Sequence, residues 1–117
     1  MLKTADDLIR AAQQDIECVD ADSAYDIYRN NPGAVIIDVR EADSAAKSKL
    51  NDSVNISRGL LEMMVQKACP SADTVILTHC GGGGRASLAA QTLGQLGYRR
   101  VYAITAPYDD ITKAFDG

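Results

Sequence analysis

The chain has 117 residues, 46% of them hydrophobic and 24% charged, the size of one domain that can bury about two-thirds of its unfolded surface without disulfides or a metal. Twelve Lys and Arg against sixteen Asp and Glu leave a net charge of −4, the wrong sign for a nucleic-acid-binding face or for adhesion to anionic lipid. No apolar run approaches the ~20 residues of a membrane span, the first residues lack the pattern of a secretory leader, and three widely spaced cysteines, Cys18, Cys69 and Cys80, suit a reducing, cytoplasmic setting rather than a disulfide framework.

Thr4 is placed to cap a first helix, with Asp7 completing a capping box and Leu8, Ile9, Ala11 and Ala12 giving a partial apolar face. This segment, residues 1–15, reads as an extra helix ahead of the rest. Ile16–Val19 is a short strand candidate. Asp20 or Asp22 can cap a helix through Ala24, Ile27 and Tyr28 that Asn30-Asn31-Pro32-Gly33 terminates. Ala34–Val39 is a run of the kind buried on both faces of a parallel sheet. Residues 41–50 read as a loose helix and loop, Val54–Ile56 as a strand, and Gly59–Ala68 as a helix closed by Pro70. Thr74–Thr78 is a second strong strand. Four glycines follow, Gly81 to Gly84, then a helix over Arg85–Leu96 stopped by Gly97, a strand at Arg100–Ile104, and a terminal helix opened by Pro107. Strands alternating with helices predict an α/β fold: a central parallel sheet of about five short strands with helices on both faces, in one domain over residues 1–117. Ligands of such sheets sit beyond the carboxyl ends of the strands. Here that place holds Cys80-Gly81-Gly82-Gly83-Gly84-Arg85.

A cysteine at the end of a buried strand, followed by glycines and a helix start, is set for nucleophilic chemistry. Glycines let successive amides turn inward, the helix adds free N–H groups and the positive end of its dipole, and Arg85 adds a full charge. Each favours the thiolate, which is the nucleophile, and the same donors would hold an oxyanion. The stretch is not a P-loop, because Arg85-Ala86 stands where Lys-Ser/Thr is needed. Gly81, Gly83 and Ala86 fit G-x-G-x-x-A, but no acid ends the following strand near residue 105 to hold a ribose. A structural glycine turn beside an inert cysteine is the plainer alternative, set against the entropy lost in ordering four glycines. His79 precedes Cys80, yet adjacent strand residues face opposite ways, so it reads as a packed histidine rather than a base. Cys18 and Cys69 have no Cys-x-x-Cys partner, so no metal is expected; Cys69 could resolve an oxidised Cys80. No cofactor motif stands.

Four segments together resemble the rhodanese-like sulfurtransferases. Cys80-x4-Arg85 with Ser87 is similar to their six-residue active-site loop, and Val35–Glu41 to their strand ending Asp-Val-Arg. Ser53–Gly59 is similar to their Val-Asn-Ile-Pro-Arg-Gly segment, and Ala89–Tyr98 with Val101-Tyr102 to their helix and last strand. The resemblance implies a persulfide mechanism. Cys80 would take sulfane sulfur from a small sulfur-containing anion such as thiosulfate, or from a persulfide donor, and pass it to a thiol or cyanide acceptor; a protein could also serve as donor or acceptor. It implies that the amides of Gly81, Gly82, Gly83, Gly84 and Arg85 steady the persulfide and that Arg85 holds the anionic substrate. It also implies that Arg58 offers an anion contact at the rim, and that Asp38 and Arg40 sit at the loop's base, Asp38 holding loop groups in place.

The sequence departs from the family at Ser44-Ala45 and Ser48–Asp52, where an aromatic and a histidine are usual, at Ala106-Pro107 and Ile111, and at Gly81, often a cation. One fewer cation weakens attraction for a dianion and turns expectation toward a bulkier or protein-borne donor. Two other readings stay open: a non-enzymatic persulfide carrier or recognition module on the same fold, and a cysteine phosphatase or arsenate reductase. The last pair build their cradle with one more residue between cysteine and arginine.

Overall fold

β-Branched runs punctuated by capped helices produce the expected alternation. The computed structural model describes residues 1–117. Five strands, β1 (Glu17–Val19), β2 (Val35–Asp38), β3 (Ser53–Asn55), β4 (Val75–His79) and β5 (Arg100–Ile104), form one sheet in the order β1-β5-β4-β2-β3, with every neighbouring pair parallel. Parallel pairs need crossovers. These are α2 (Ala21–Asn30), α3 (Ala42–Lys47), α4 (Leu61–Ala68) entered through a 3₁₀ turn at Arg58–Leu60, and α5 (Gly84–Leu96). α1 (Ala5–Gln14) precedes the sheet and α6 (Tyr108–Asp116) follows it. No helix is long and apolar enough to cross a membrane.

Local chemistry sets the ends. Thr4 and Asp7 make the reciprocal bonds of a capping box on α1, and the Asp20 side chain accepts from Ser23 N–H to start α2. Gly97, at φ 109°, stops α5 in the left-handed conformation. The boundaries differ from the sequence reading by a residue or two, the largest change being that Arg58–Leu60 winds as 3₁₀ before α4.

Because strand side chains alternate, β2 and β4 feed two cores. Ile37, Val39, Ile76 and Cys80 pack with Leu61 and Val65 of α4 and Ala86, Ala89 and Leu93 of α5. Ile36, Val75 and Leu77 pack with Ala21 and Ala24 of α2 and Ile111 of α6. Leu50, in a stretch that reads as polar loop, is fully buried in this second core. α1 lies against α5 and buries Ala12 there.

Candidate active site

β4 ends at His79, and Cys80 is the first residue beyond it, at the sheet's carboxyl end. Its side chain belongs to the α4/α5 core and is 2% exposed. Two backbone amides donate to its sulfur: Gly83 N–H, with N···Sγ 3.1 Å, and Ala86 N–H, 3.4 Å. Ala86 is the third residue of α5, where helical N–H groups have no intrahelical acceptor, so the sulfur takes a donor the helix leaves free. Thr78, fully buried, gives its hydroxyl to the Ala86 carbonyl at 2.8 Å and ties the first turn of α5 to β4. The sequence places the cradle on residues 81 to 85; the structure adds Ala86, whose position in the first turn of the helix is the signal for it.

The four glycines are not equivalent. Only Gly83 has a positive φ, 108°, and a Cβ there would stand 2.9 Å from Thr105 Cα. Left-handed backbone and a close approach both require glycine at this position. A Cβ on Gly84 would meet only the flexible end of Ile9 from α1, at 2.9 Å, and one on Gly82 would meet nothing within 4 Å. Gly81 and Gly82 are exposed. Arg85 is exposed as well, its Nη2 lying 3.9 Å from where a Gly81 Cβ would sit, and no salt bridge engages it. The loop thus carries one unpaired cation on a rim of bare backbone.

Asp38 and Arg40 lie at the base of the loop but do not bond to it. Asp38 is paired with His79 in the β2/β4 register, so both face α6, away from the Cys80 sulfur. The Arg40 guanidinium clamps the Asp38 carboxylate (Nε–Oδ1 3.0 Å, Nη2–Oδ2 2.8 Å), donates to the Ser48 carbonyl, and lies 4.2 Å from the centroid of the Tyr108 ring. Burial opposes the Asp38 charge, but the hydrogen bonds and charge of Arg40 outweigh it and hold the carboxyl below its usual range. The expected acceptor role of Asp38 toward loop groups is therefore replaced by an ion pair with Arg40. The link to the loop runs instead through Tyr108, whose backbone N–H donates to the Gly81 carbonyl at 3.1 Å. His79 stacks on the same ring, centroids 5.9 Å apart. It is fully buried, its Nε2 unpartnered and 4.0 Å from Asp38 Oδ1; burial pushes its pKa down, more strongly than the Asp38 charge pulls it up.

Arg58 is held elsewhere. Its guanidinium bonds to Glu62 on α4 (3.2 Å) and Thr92 on α5 (2.8 Å), with no hydrogen bond to the loop. Cys69 closes α4 at the amino end of the sheet, while Cys80 stands at the carboxyl end. The five residues of β4 between those levels span about 16 Å, beyond the ~7 Å Cα separation a disulfide tolerates. Burial raises the pKa of the Cys69 thiol, and burial with Glu17 that of the exposed Cys18. No three His, Cys, Asp or Glu side chains gather into a metal-holding group. The largest surface concavity, about 410 Å³ and lined by Gln66, Pro70, Leu96 and Tyr98, lies at the amino end of the sheet.

A protein-family model described as rhodanese-like domain matches residues 20–114. Among solved structures, a protein of unknown function from Rhodopseudomonas palustris, described as a possible tyrosine phosphatase, superposes with a TM-score of 0.85 at 22% identity, over 97% of this chain and 92% of that one. The polysulfide-sulfur transferase homodimer of Wolinella succinogenes gives 0.75 at 26% identity, over 91% and 80%. A human single-domain sulfurtransferase gives 0.68 at 19%, over 82% and 95%. At these identities the first and third speak for the fold alone.

Proposed function

Because this chain belongs to the rhodanese-like domain family, whose model covers residues 20–114, we propose that it is a sulfurtransferase that carries sulfane sulfur as a persulfide on Cys80. The observation that carries the proposal is the Cys80 sulfur accepting two amide hydrogen bonds at the start of α5. Amides aimed at sulfur stabilise negative charge on it, which serves both the attacking thiolate and the persulfide that replaces it.

In the first half-reaction the Cys80 thiolate attacks the outer sulfur of the donor. The donor's S–S bond breaks, its electron pair leaves with the departing group (sulfite from thiosulfate, a thiolate from an organic persulfide), and Cys80–S–S⁻ remains. In the second, cyanide or a thiolate attacks the terminal sulfur, leaves as thiocyanate or a new persulfide, and returns the Cys80 thiolate. Charge balances in each half without an oxidant or a cofactor. Arg85, exposed beside Gly81, supplies the charge that meets an anionic donor. Arg58 is paired with Glu62 and Thr92, and the loop itself has no other side chain to offer. This cation poverty favours a singly charged, persulfide-type or protein-borne donor over the thiosulfate dianion.

Intact-mass spectrometry after exposure to thiosulfate, polysulfide and an organic persulfide tests the reading. A gain of one sulfur, absent in Cys80→Ser and discharged by cyanide or thiol, is the expected result. No gain with any donor refutes a persulfide role and leaves the recognition module. An aryl phosphate assay in parallel covers the phosphatase reading, against which the four residues between Cys80 and Arg85, one fewer than a phosphate cradle uses, already weigh.

A further inference from the structure

The extra helix α1 reaches the loop by two contacts. Ile9 and Gln13 stand four residues apart on α1 and so share a face. The end of the Ile9 side chain covers Gly84, within 2.9 Å of where a Cβ would lie. The side-chain amide of Gln13 donates to Ser87 Oγ at 3.1 Å, and the Ser87 hydroxyl donates in turn to the Gly83 carbonyl at 2.7 Å. That carbonyl also receives Ser87 N–H at 2.9 Å. Ser87 is fully buried, so its single proton and its lone pairs have only these partners. The Gly83 carbonyl marks where the left-handed residue hands the chain into α5, and Gly83 N–H and Ala86 N–H on either side are the two donors to the Cys80 sulfur.

We propose that Gln13 is a positioning residue of the candidate active site: it fixes the direction of the Ser87 hydroxyl, which pins Gly83 and thereby aims both amides at Cys80. α1 is then part of the catalytic apparatus, although it lies outside the residues the family model matches. The proposal rests on Cys80 being the working nucleophile. Polarity, rather than bulk, is what matters in the relay. Glutamate in place of Gln13 keeps length and helix propensity but has no proton to give. It would recruit the Ser87 hydroxyl for itself and release the Gly83 carbonyl.

The test compares Gln13→Glu, Gln13→Ala and Asp15→Ala. The last removes the other polar tie between the two helices, Gln91 to Asp15 at 3.2 Å, which does not connect to the loop. The readout is the pH profile of iodoacetamide alkylation of Cys80, followed on its own peptide by mass spectrometry, with circular dichroism to confirm folding. Gln13→Glu is expected to move the profile to higher pH and slow alkylation at neutral pH about tenfold, the loss of one well-aimed donor being worth roughly that factor. Gln13→Ala is expected to slow it about threefold, and Asp15→Ala to leave it unchanged. Equal profiles for all three variants and wild type, or equal shifts in Asp15→Ala and Gln13→Glu, overturn the proposal. Alkylation does not depend on sulfur transfer. A protein that never forms a persulfide but shows the expected shifts refutes the proposed function while sustaining the relay.

Discussion

Replacing single glycines of the loop separates a backbone requirement from an open surface. Gly83→Ala puts a Cβ on a residue at φ 108°, 2.9 Å from the Thr105 backbone. The left-handed conformation costs an alanine about 1–2 kcal/mol, and displacing Thr105 by a few tenths of an ångström adds about as much again. A loss near 3 kcal/mol is expected. For a chain of 117 residues unfolding entropy makes each kcal/mol worth about 4 °C, so the midpoint should fall by about 12 °C. Gly82→Ala has open space around its Cβ and no positive φ, and should be neutral or up to about 1 kcal/mol stabilising, because it restricts the unfolded chain. Thermal and urea unfolding measure both. A Gly83→Ala protein within about 0.5 kcal/mol of wild type, or one no less stable than Gly82→Ala, would refute the argument that Gly83 alone is conformationally obligatory.

His79 is the only histidine, and burial lowers its pKa. The unfolded chain takes up a proton near pH 6.5 that the folded one refuses, so stability is complete above that pH and declines as pH falls below it; urea midpoints from pH 7.5 to 5 should show that fall, and His79→Phe should flatten it. A wild-type midpoint that holds or rises toward pH 5 contradicts the assignment. Asp38→Asn leaves the Arg40 guanidinium, 8% exposed, without its counter-charge and should cost about 3–5 kcal/mol, read by the same unfolding experiment; a loss below 1 kcal/mol would mean the pair is replaceable. Since the Asp38 pKa is held down, its contribution is present above about pH 4 and disappears as acid titrates it below that.

Much of this is legible in the sequence alone. The β-branched runs at 34–39 and 74–78 announced buried parallel strands, the Thr4/Asp7 pair announced α1, and Cys80 followed by glycines announced a loop between strand and helix. Which of the four glycines takes a positive φ was not legible, because a run of glycines sets no local preference and the residue that crowds a Cβ at Gly83, Thr105, is distant in sequence. The partners of Asp38 were hidden for a related reason. Alternation tells which residues of one strand share a face, but only the β2/β4 register sets Asp38 beside His79 and opposite Cys80. Leu50 reached the core from a polar segment whose path is dictated by long-range bonds: Ser48 to Arg40 and Tyr108, and Asn51 to Asp116. Tyr108 and Gln13 carry no motif at all; they matter through where the fold brings them.

The strand order places β4 third of five, with the three-residue strands β1 and β3 at the margins. Fraying begins at such margins, where amides exchange with solvent through small, frequent openings, while the centre exchanges only when the whole sheet comes apart. The cysteine is thereby fastened to a strand held on both sides, so breathing at either border leaves the thiol's support in place.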